Sequence, residues 1–196
     1  MNNYAYKYGA NLYINLTNRC SNDCSFCIRS YSNGIGDSEL WLSREPEVHE
    51  VIQQIENVKF EYSEAVFCGF GEPAYRFDEL IKIAKFIKSL GKTVRLNTNG
   101  LGNLINSRDI TGEIKGAIDI VSISLNAPNA ERYNEICKSI FGDKAFAEIL
   151  DFAKKCVSQG MQVILSIMDN LSEKETIKCQ AIAKKIGCIL KIRQMA

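Results

Sequence analysis

Six short apolar runs punctuate the chain, and stretches of helical periodicity lie between them. The runs are Asn11–Thr17 (NLYINLT), Glu64–Phe70 (EAVFCGF), Thr93–Thr98 (TVRLNT), Asp119–Asn126 (DIVSISLN), Met161–Met168 (MQVILSIM) and Cys188–Gln194 (CILKIRQ). Four to eight residues of apolar sequence bounded by turn signals read as strands. The intervening segments predict helices. Phe77–Leu90 puts Leu80, Ile81, Ala84 and Ile87 on one face and stops at Gly91. A helix from about Glu45 to Lys59 takes Ser43 as its cap, and others cover Asn129–Lys138 and Lys144–Ser158. Ser172–Ile186 opens with a Ser and a Glu three residues on, the capping-box spacing. Strands alternating with helices imply right-handed βαβ crossovers and a parallel sheet. A closed eightfold barrel takes roughly 250 residues. The 196 residues here fit an α/β partial (open) βα barrel of about six parallel strands, with residues 1–196 forming one domain. No linker or short-period repeat interrupts it.

The polar residues on those strands are placed, not scattered. Ser122, Ser124 and Asn126 share one face, opposite Val121, Ile123 and Leu125. Arg95, Asn97 and Asn99 oppose Val94, Leu96 and Thr98, and Lys191 and Arg193 oppose Leu190 and Ile192. Apolar faces can pack on helices, which leaves a polar concave face. A closed barrel fills its interior with branched apolar side chains. A polar interior near the carboxyl ends of strands suggests a ligand cavity. An edge strand wetted on one face gives the same pattern for any single strand.

The bulk numbers narrow the function classes. Apolar residues make up 46% and charged residues 24%, with a formal charge of +1. No broad basic field argues for nucleic acid or an anionic membrane. The N-terminal stretch lacks a basic flank and apolar run, and no segment is apolar for long enough to span a bilayer. With no secretory signal, eight cysteines point to the reducing cytoplasm and to metal or redox chemistry rather than disulfides.

Three of those cysteines fall within eight residues, Cys20, Cys24 and Cys27 in CSNDCSFC. Structural zinc commonly takes four ligands as two separated pairs. Cys68, Cys137, Cys156, Cys179 and Cys188 form no second close pair, and the sole histidine, His49, sits in a predicted helix. Bacterial ferredoxins follow their close spacings with a fourth cysteine soon after, which this chain lacks. Three thiolates suit a [4Fe–4S] cubane with one iron left open, and an open position marks a catalytic metal.

CSNDCSFC, placed after the first strand, resembles the C-x3-C-x-aromatic-C signature of the radical S-adenosylmethionine (SAM) superfamily. CGFGEP (Cys68–Pro73), at the end of the second strand, resembles its glycine-rich GGEP motif. The resemblance implies that Cys20, Cys24 and Cys27 ligate three irons and that the amino and carboxylate groups of SAM chelate the fourth. It places Phe26 beside cluster and adenine. Gly69 and Gly71 would let backbone approach a ligand closely, with Glu72 bracing that loop or adding acceptor charge. LNTNG (Leu96–Gly100) offers Asn97 and Asn99 toward the SAM ribose and substrate. SISLNAP (Ser122–Pro128) offers Ser124 and Asn126 to hydroxyls or the methionyl carboxylate. Ser166 and Met168 on the fifth strand and Arg193 on the sixth would flank adenine or bind a carboxylate. The compact length and the two motif contexts look closest to the small TatD-associated radical SAM proteins.

The implied reaction is reductive cleavage of SAM to methionine and a 5′-deoxyadenosyl radical, which abstracts hydrogen from a substrate, either a small molecule or a protein. A low-potential donor such as flavodoxin or ferredoxin would supply the electron. No protein general acid or base is assigned. Arg29–Ser43, with Leu40 and Trp41, reads as a lid or partner surface, or as ordinary packing of Trp41. The rival reading is an iron–sulfur electron-transfer or sensing protein that does not cleave SAM; a second is structural zinc in an interaction module.

Overall fold

The computed structural model describes residues 2–194. Its main sheet has seven strands in the order β1-β2-β5-β6-β7-β8-β9. Six are the expected parallel set: β2 (Asn11–Ile14), β5 (Glu64–Phe67), β6 (Thr93–Thr98), β7 (Ile120–Ser124), β8 (Gln162–Met168) and β9 (Ile189–Arg193). Sequential neighbours joined by helical crossovers give the open βα-barrel architecture that the periodicity predicted.

The seventh strand is a departure. β1 (Ala5–Tyr8) pairs antiparallel with β2 through a tight turn at Gly9, whose φ of 59° suits glycine. AYKY is short and interrupted by Lys7, so it carries no apolar run long enough to read as a strand. Its effect is to cover one sheet edge and to send Tyr6 toward the concave face, where the hydroxyl donates to the Cys68 carbonyl at 3.1 Å. A small hairpin, β3 (Gly34–Ile35) with β4 (Ser38–Glu39), was also not foreseen.

The helices follow the apolar periodicity more closely than the caps. α1 runs Val48–Glu56, shorter than expected, and Ser43 does not cap it. Ser43 instead donates its backbone N–H to Asn2 Oδ1 at 2.9 Å, while the Glu50 carboxylate accepts from Glu47 N at 2.9 Å at the true start. α2 (Phe77–Ser89) matches its prediction within a residue. Two short helices, α3 (Gly102–Asn106) and α4 (Thr111–Ile114), occupy the crossover that the sequence left blank. α5 (Ala130–Cys137), α6 (Lys144–Ser158) and α7 (Glu173–Ile186) complete the set, and Ser172 and Glu175 form the expected capping box on α7. No helix among the described residues is long and apolar enough to cross a membrane.

The outward strand residues form the core. Val94, Leu96, Val121, Ile123 and Leu165 are fully buried or nearly so against Leu80, Ile83, Ile87, Ile149 and Phe152 from the helices. Each fully buried Leu, Ile or Phe contributes roughly 1.5–3 kcal/mol of transfer free energy. This one-sided core leaves the other face of the sheet free for polar side chains.

Candidate functional site

Two loops leave the carboxyl ends of adjacent parallel strands β2 and β5, and they are locked to each other. Glu72 N donates to the Arg19 carbonyl at 2.7 Å, and Cys68 N donates to Ile14 O at 2.9 Å. The cysteine loop is then pinned from its other side by the end of α5. Asp23 N bonds Cys137 O at 3.0 Å, Ser25 N bonds Ile136 O at 2.9 Å and Asn22 Nδ2 bonds the Tyr133 hydroxyl at 2.8 Å. Asn15 and Asn18 reach the opposite way, to the carbonyls of Leu40 and Leu42 at 2.8 and 2.7 Å. The polar residues of this loop are thus the struts of a fixed frame. Ser21 and Asn22 are buried accordingly.

The glycines in GFGEP serve this frame in a way the sequence did not show. A Cβ on Gly71 would collide with the carbonyl oxygens of Thr17 and Arg19 and sit 2.9 Å from Arg19 N. One on Gly69 would strike the Asn15 side chain. The close approach that these glycines permit is therefore to the cysteine loop, not only to a ligand. Glu72 has a similar role. It is 3% exposed, and its carboxylate accepts from Thr98 Oγ1 and Asn99 N at 2.7 Å each and from Ala74 N at 3.2 Å. Burial pushes its carboxyl above the ordinary carboxylate range while these three donors oppose that rise. Of the two roles expected for it, bracing is the one its contacts show. Glu72→Ala strands these buried donors and should cost about 3 kcal/mol. Urea unfolding of the iron-free protein measures it, and a loss well under 1 kcal/mol would contradict the bracing role.

Both loops open on one cavity of about 330 Å³ at the carboxyl ends of the strands. Cys20, Cys24, Cys27 and Phe26 line one wall, and Cys68, Gly69, Gly71 and Glu72 line the next. Asn97, Asn99, Ser124, Asn126, Ser166, Met168 and Arg193 complete it, so every site residue expected from sequence reaches the same space. Some of their polar groups are already engaged. Asn99 donates to Ser21 Oγ at 2.9 Å and accepts from Leu101 N at 3.0 Å. Ser166 Oγ turns to the Ile123 carbonyl at 3.4 Å. Asn126 adopts φ of 56° just past β7, directing Nδ2 to Cys137 Sγ at 3.5 Å and Oδ1 to Arg193 Nη2 at 3.4 Å.

The chemistry of this donor set suits an iron–sulfur cluster. Among the described residues, no three Cys, His, Asp or Glu side chains are grouped to hold one metal ion. A mononuclear zinc site draws four ligands to one point, with Zn–S bonds of about 2.3 Å. A cubane takes one thiolate per iron, and three half-buried cysteines line this cavity. Burial, then the nearby Glu72, pushes the Cys20 thiol up to about 12. A hydrogen bond with Cys137, then burial, raises Cys24, and burial raises Cys27. The free thiols are therefore neutral, and iron binding must displace their protons.

Three residues near the site carried no role in the sequence reading. Tyr6 arrives on the unforeseen β1. Cys137 packs beside Cys24, whose Sγ lies 3.9 Å from the Cys137 carbonyl. Cys68 faces the cavity, and its place immediately before Gly69 was the available signal. The Arg29–Ser43 segment folds as a 3₁₀ turn and the β3–β4 hairpin. It buries Leu40 with Phe70 and Tyr6, and Trp41 stacks edge-on against Phe70 at 5.0 Å, so this segment is packed as a wall of the site.

Comparisons with known proteins agree with this geometry. The radical SAM superfamily model matches residues 14–179. Pre-heme d1 synthase of Dinoroseobacter shibae is 29% identical over 149 residues, covering 76% of this chain and 34% of that protein. A probable dual-specificity RNA methyltransferase RlmN of Thermoanaerobacter sp. is 28% identical, covering 64% and 36%. The chain thus spans about a third of the length of these curated relatives. Among solved structures, a radical SAM methyltransferase from Sphaerobacter thermophilus superposes with a TM-score of 0.69 at 15% identity, over 97% of this chain and 57% of that one. Streptococcus suis SuiB bound to S-adenosylmethionine gives 0.69 at 13% identity, over 96% and 41%. With the family match covering most of the sequence, and the same fold in those structures, the chain belongs to the radical SAM superfamily.

Proposed function

We propose that residues 1–196 act as one radical SAM core that holds a [4Fe–4S] cluster on Cys20, Cys24 and Cys27 and binds SAM in the adjoining cavity. The observation that carries this is the backbone lock between the cysteine loop and the GFGEP loop, with both opening on the same space. When bound, the cluster and SAM would supply the reductive cleavage of SAM and the radical chemistry that takes hydrogen from a substrate. The chain's own residues orient and enclose. Backbone groups of Gly69–Gly71 and the side chains of Ser124 and Asn126 face SAM. Phe26 and Met168 give it apolar contact, and Ser166 and Asn99 shape its floor from fixed positions. Glu72 acts through the loop that it braces. The hairpin wall, with Ile35 and Phe70 lining the cavity, limits water there. The electron comes from a low-potential donor of the flavodoxin or ferredoxin kind. Within the superfamily, the contexts of the two motifs favour kinship with the small TatD-associated radical SAM proteins.

Anaerobic reconstitution with iron and sulfide, followed by SAM and dithionite, tests the reading. Expected are about four irons per chain and 5′-deoxyadenosine detected by mass spectrometry. An assembled cluster with neither SAM binding nor 5′-deoxyadenosine would establish the rival electron-transfer or sensing protein.

A further inference from the structure

Arg193 is a cation without a counter-ion. It projects from β9 into the cavity, half-buried, and no Asp or Glu among the described residues pairs with it. Its Nη2 makes two long contacts, 3.4 Å each, to Ser124 Oγ and Asn126 Oδ1. Its Nε is buried with no partner. A carboxylate or phosphate is the partner that best matches the donors and charge of a guanidinium taken from water.

The same face holds other unspent polar groups. Among the described residues, five buried side-chain N or O atoms lack a hydrogen-bond partner. Two of them, Asn97 Oδ1 and Arg193 Nε, belong to residues that line this cavity. Buried polar atoms are nearly always satisfied, so such a concentration marks a place where a ligand completes them. Asn97 lies two residues deeper along β6 than Asn99, in register with Ser122. Asn97, Cys68 and Arg193 all line the same cavity. Arg193 and Asn97 both belong to the lining of that one cavity of about 330 Å³. Glu72 cannot neutralise Arg193, because its oxygens are taken by Thr98, Asn99 and Ala74. SAM brings one carboxylate, which the reading above spends on the open iron, so its sulfonium leaves Arg193 still without an oxyanion partner.

We propose that Arg193 and Asn97 form a subsite for the second substrate, and that this substrate is a carboxylate that also carries an N–H donor. The carboxylate takes the free guanidinium donors of Arg193, and the N–H meets Asn97 Oδ1. The arrangement selects a ligand of amino-acid or acylamino-acid type over a neutral one of the same shape. This assignment rests on the SAM-binding reading of the cavity but moves Arg193 and Asn97 from SAM to the co-substrate.

N-acetylglycine and N-acetylglycinamide are a matched pair, differing in the charge at one end. Each is titrated calorimetrically and anaerobically into the reconstituted protein, with and without SAM. Expected is at least tenfold tighter binding of N-acetylglycine, lost in Arg193→Gln, with SAM affinity in that variant within about threefold of the parent. Asn97→Ala should weaken N-acetylglycine several-fold and leave the preference for charge intact. Equal or absent binding of the two probes overturns the subsite. So does a tenfold or greater loss of SAM affinity in Arg193→Gln, which would give the guanidinium to the carboxylate of SAM. SAM titrated alone into the parent reports on the cofactor reading separately from either result.

Discussion

Cys24→Ala, purified and reconstituted anaerobically, should lose its iron–sulfur absorbance and at least about 100-fold of its SAM cleavage, since even changes outside the ligand shell of a metal cost 10–100-fold. Its fold should survive. Cys24 is half-buried, and beyond Cys137 its thiol makes no strong contact. The frame around it is carried by other groups, among them Asp23 N, Ser25 N and Asn22 Nδ2. Far-UV circular dichroism should therefore match the parent, and the melting temperature should fall by a few degrees at most, for a loss of about 1 kcal/mol. Cys156→Ala is the control. That thiol is on α6, buried in the helix-side core, and its loss should leave the iron content unchanged. Normal 5′-deoxyadenosine formation by Cys24→Ala would refute the ligand assignment.

Gly71→Ala should fail in the opposite manner, by losing stability first and the cluster as a consequence. Gly71 does not adopt a positive φ, so alanine is conformationally acceptable there. The obstacle is what the methyl group meets. It runs into backbone oxygens of Thr17 and Arg19, which cannot swing away as a flexible side chain would. Relief requires the two loops to separate, which breaks the Glu72 N–Arg19 O bond and shifts Cys20, the next residue, out of line with its partners. Overpacking against a fixed backbone costs about 3 kcal/mol, or roughly 6–12 °C in melting temperature for a chain of this size. Iron incorporation should drop in parallel. A variant that melts with the parent and takes up full iron would show that the two loops are not locked as described. Gly116→Ala separates sterics from local glycine chemistry. Gly116 has φ of 82° and nothing within 4 Å of its Cβ position, so its cost is purely conformational and the cluster should assemble normally.

These two substitutions divide what could be read in the chain. The cysteine spacing and GFGEP announced themselves because local covalent sequence decides them. Three thiols within eight residues stay neighbours whatever surrounds them. The strand faces were equally legible, since alternation along Thr93–Thr98 and Ile120–Ser124 sorts side chains to two sides before any packing occurs. β1 escaped because AYKY has no apolar run. Its pairing is secured by the tight turn at Gly9 and by the neighbouring β2, a tertiary cause. Ser43 was misread for a related reason: a good capping residue was drawn off by Asn2, a partner 41 residues away.

By itself, then, the sequence determined the βα repeat, the polar inner face and the three-thiol loop, because each depends on the order and periodicity of neighbouring residues. Tertiary structure alone decided how those parts act on one another. It gave Glu72 the contacts of a brace, one of the two roles open to it, and it set Gly69 and Gly71 against the cysteine loop. It also carried Arg193 across the cavity to Ser124 and Asn126, 69 and 67 residues away, with no acid beside it. Such facts depend on which distant backbones come within a few ångströms and on which charges are left unpaired when they do, and no local pattern encodes either.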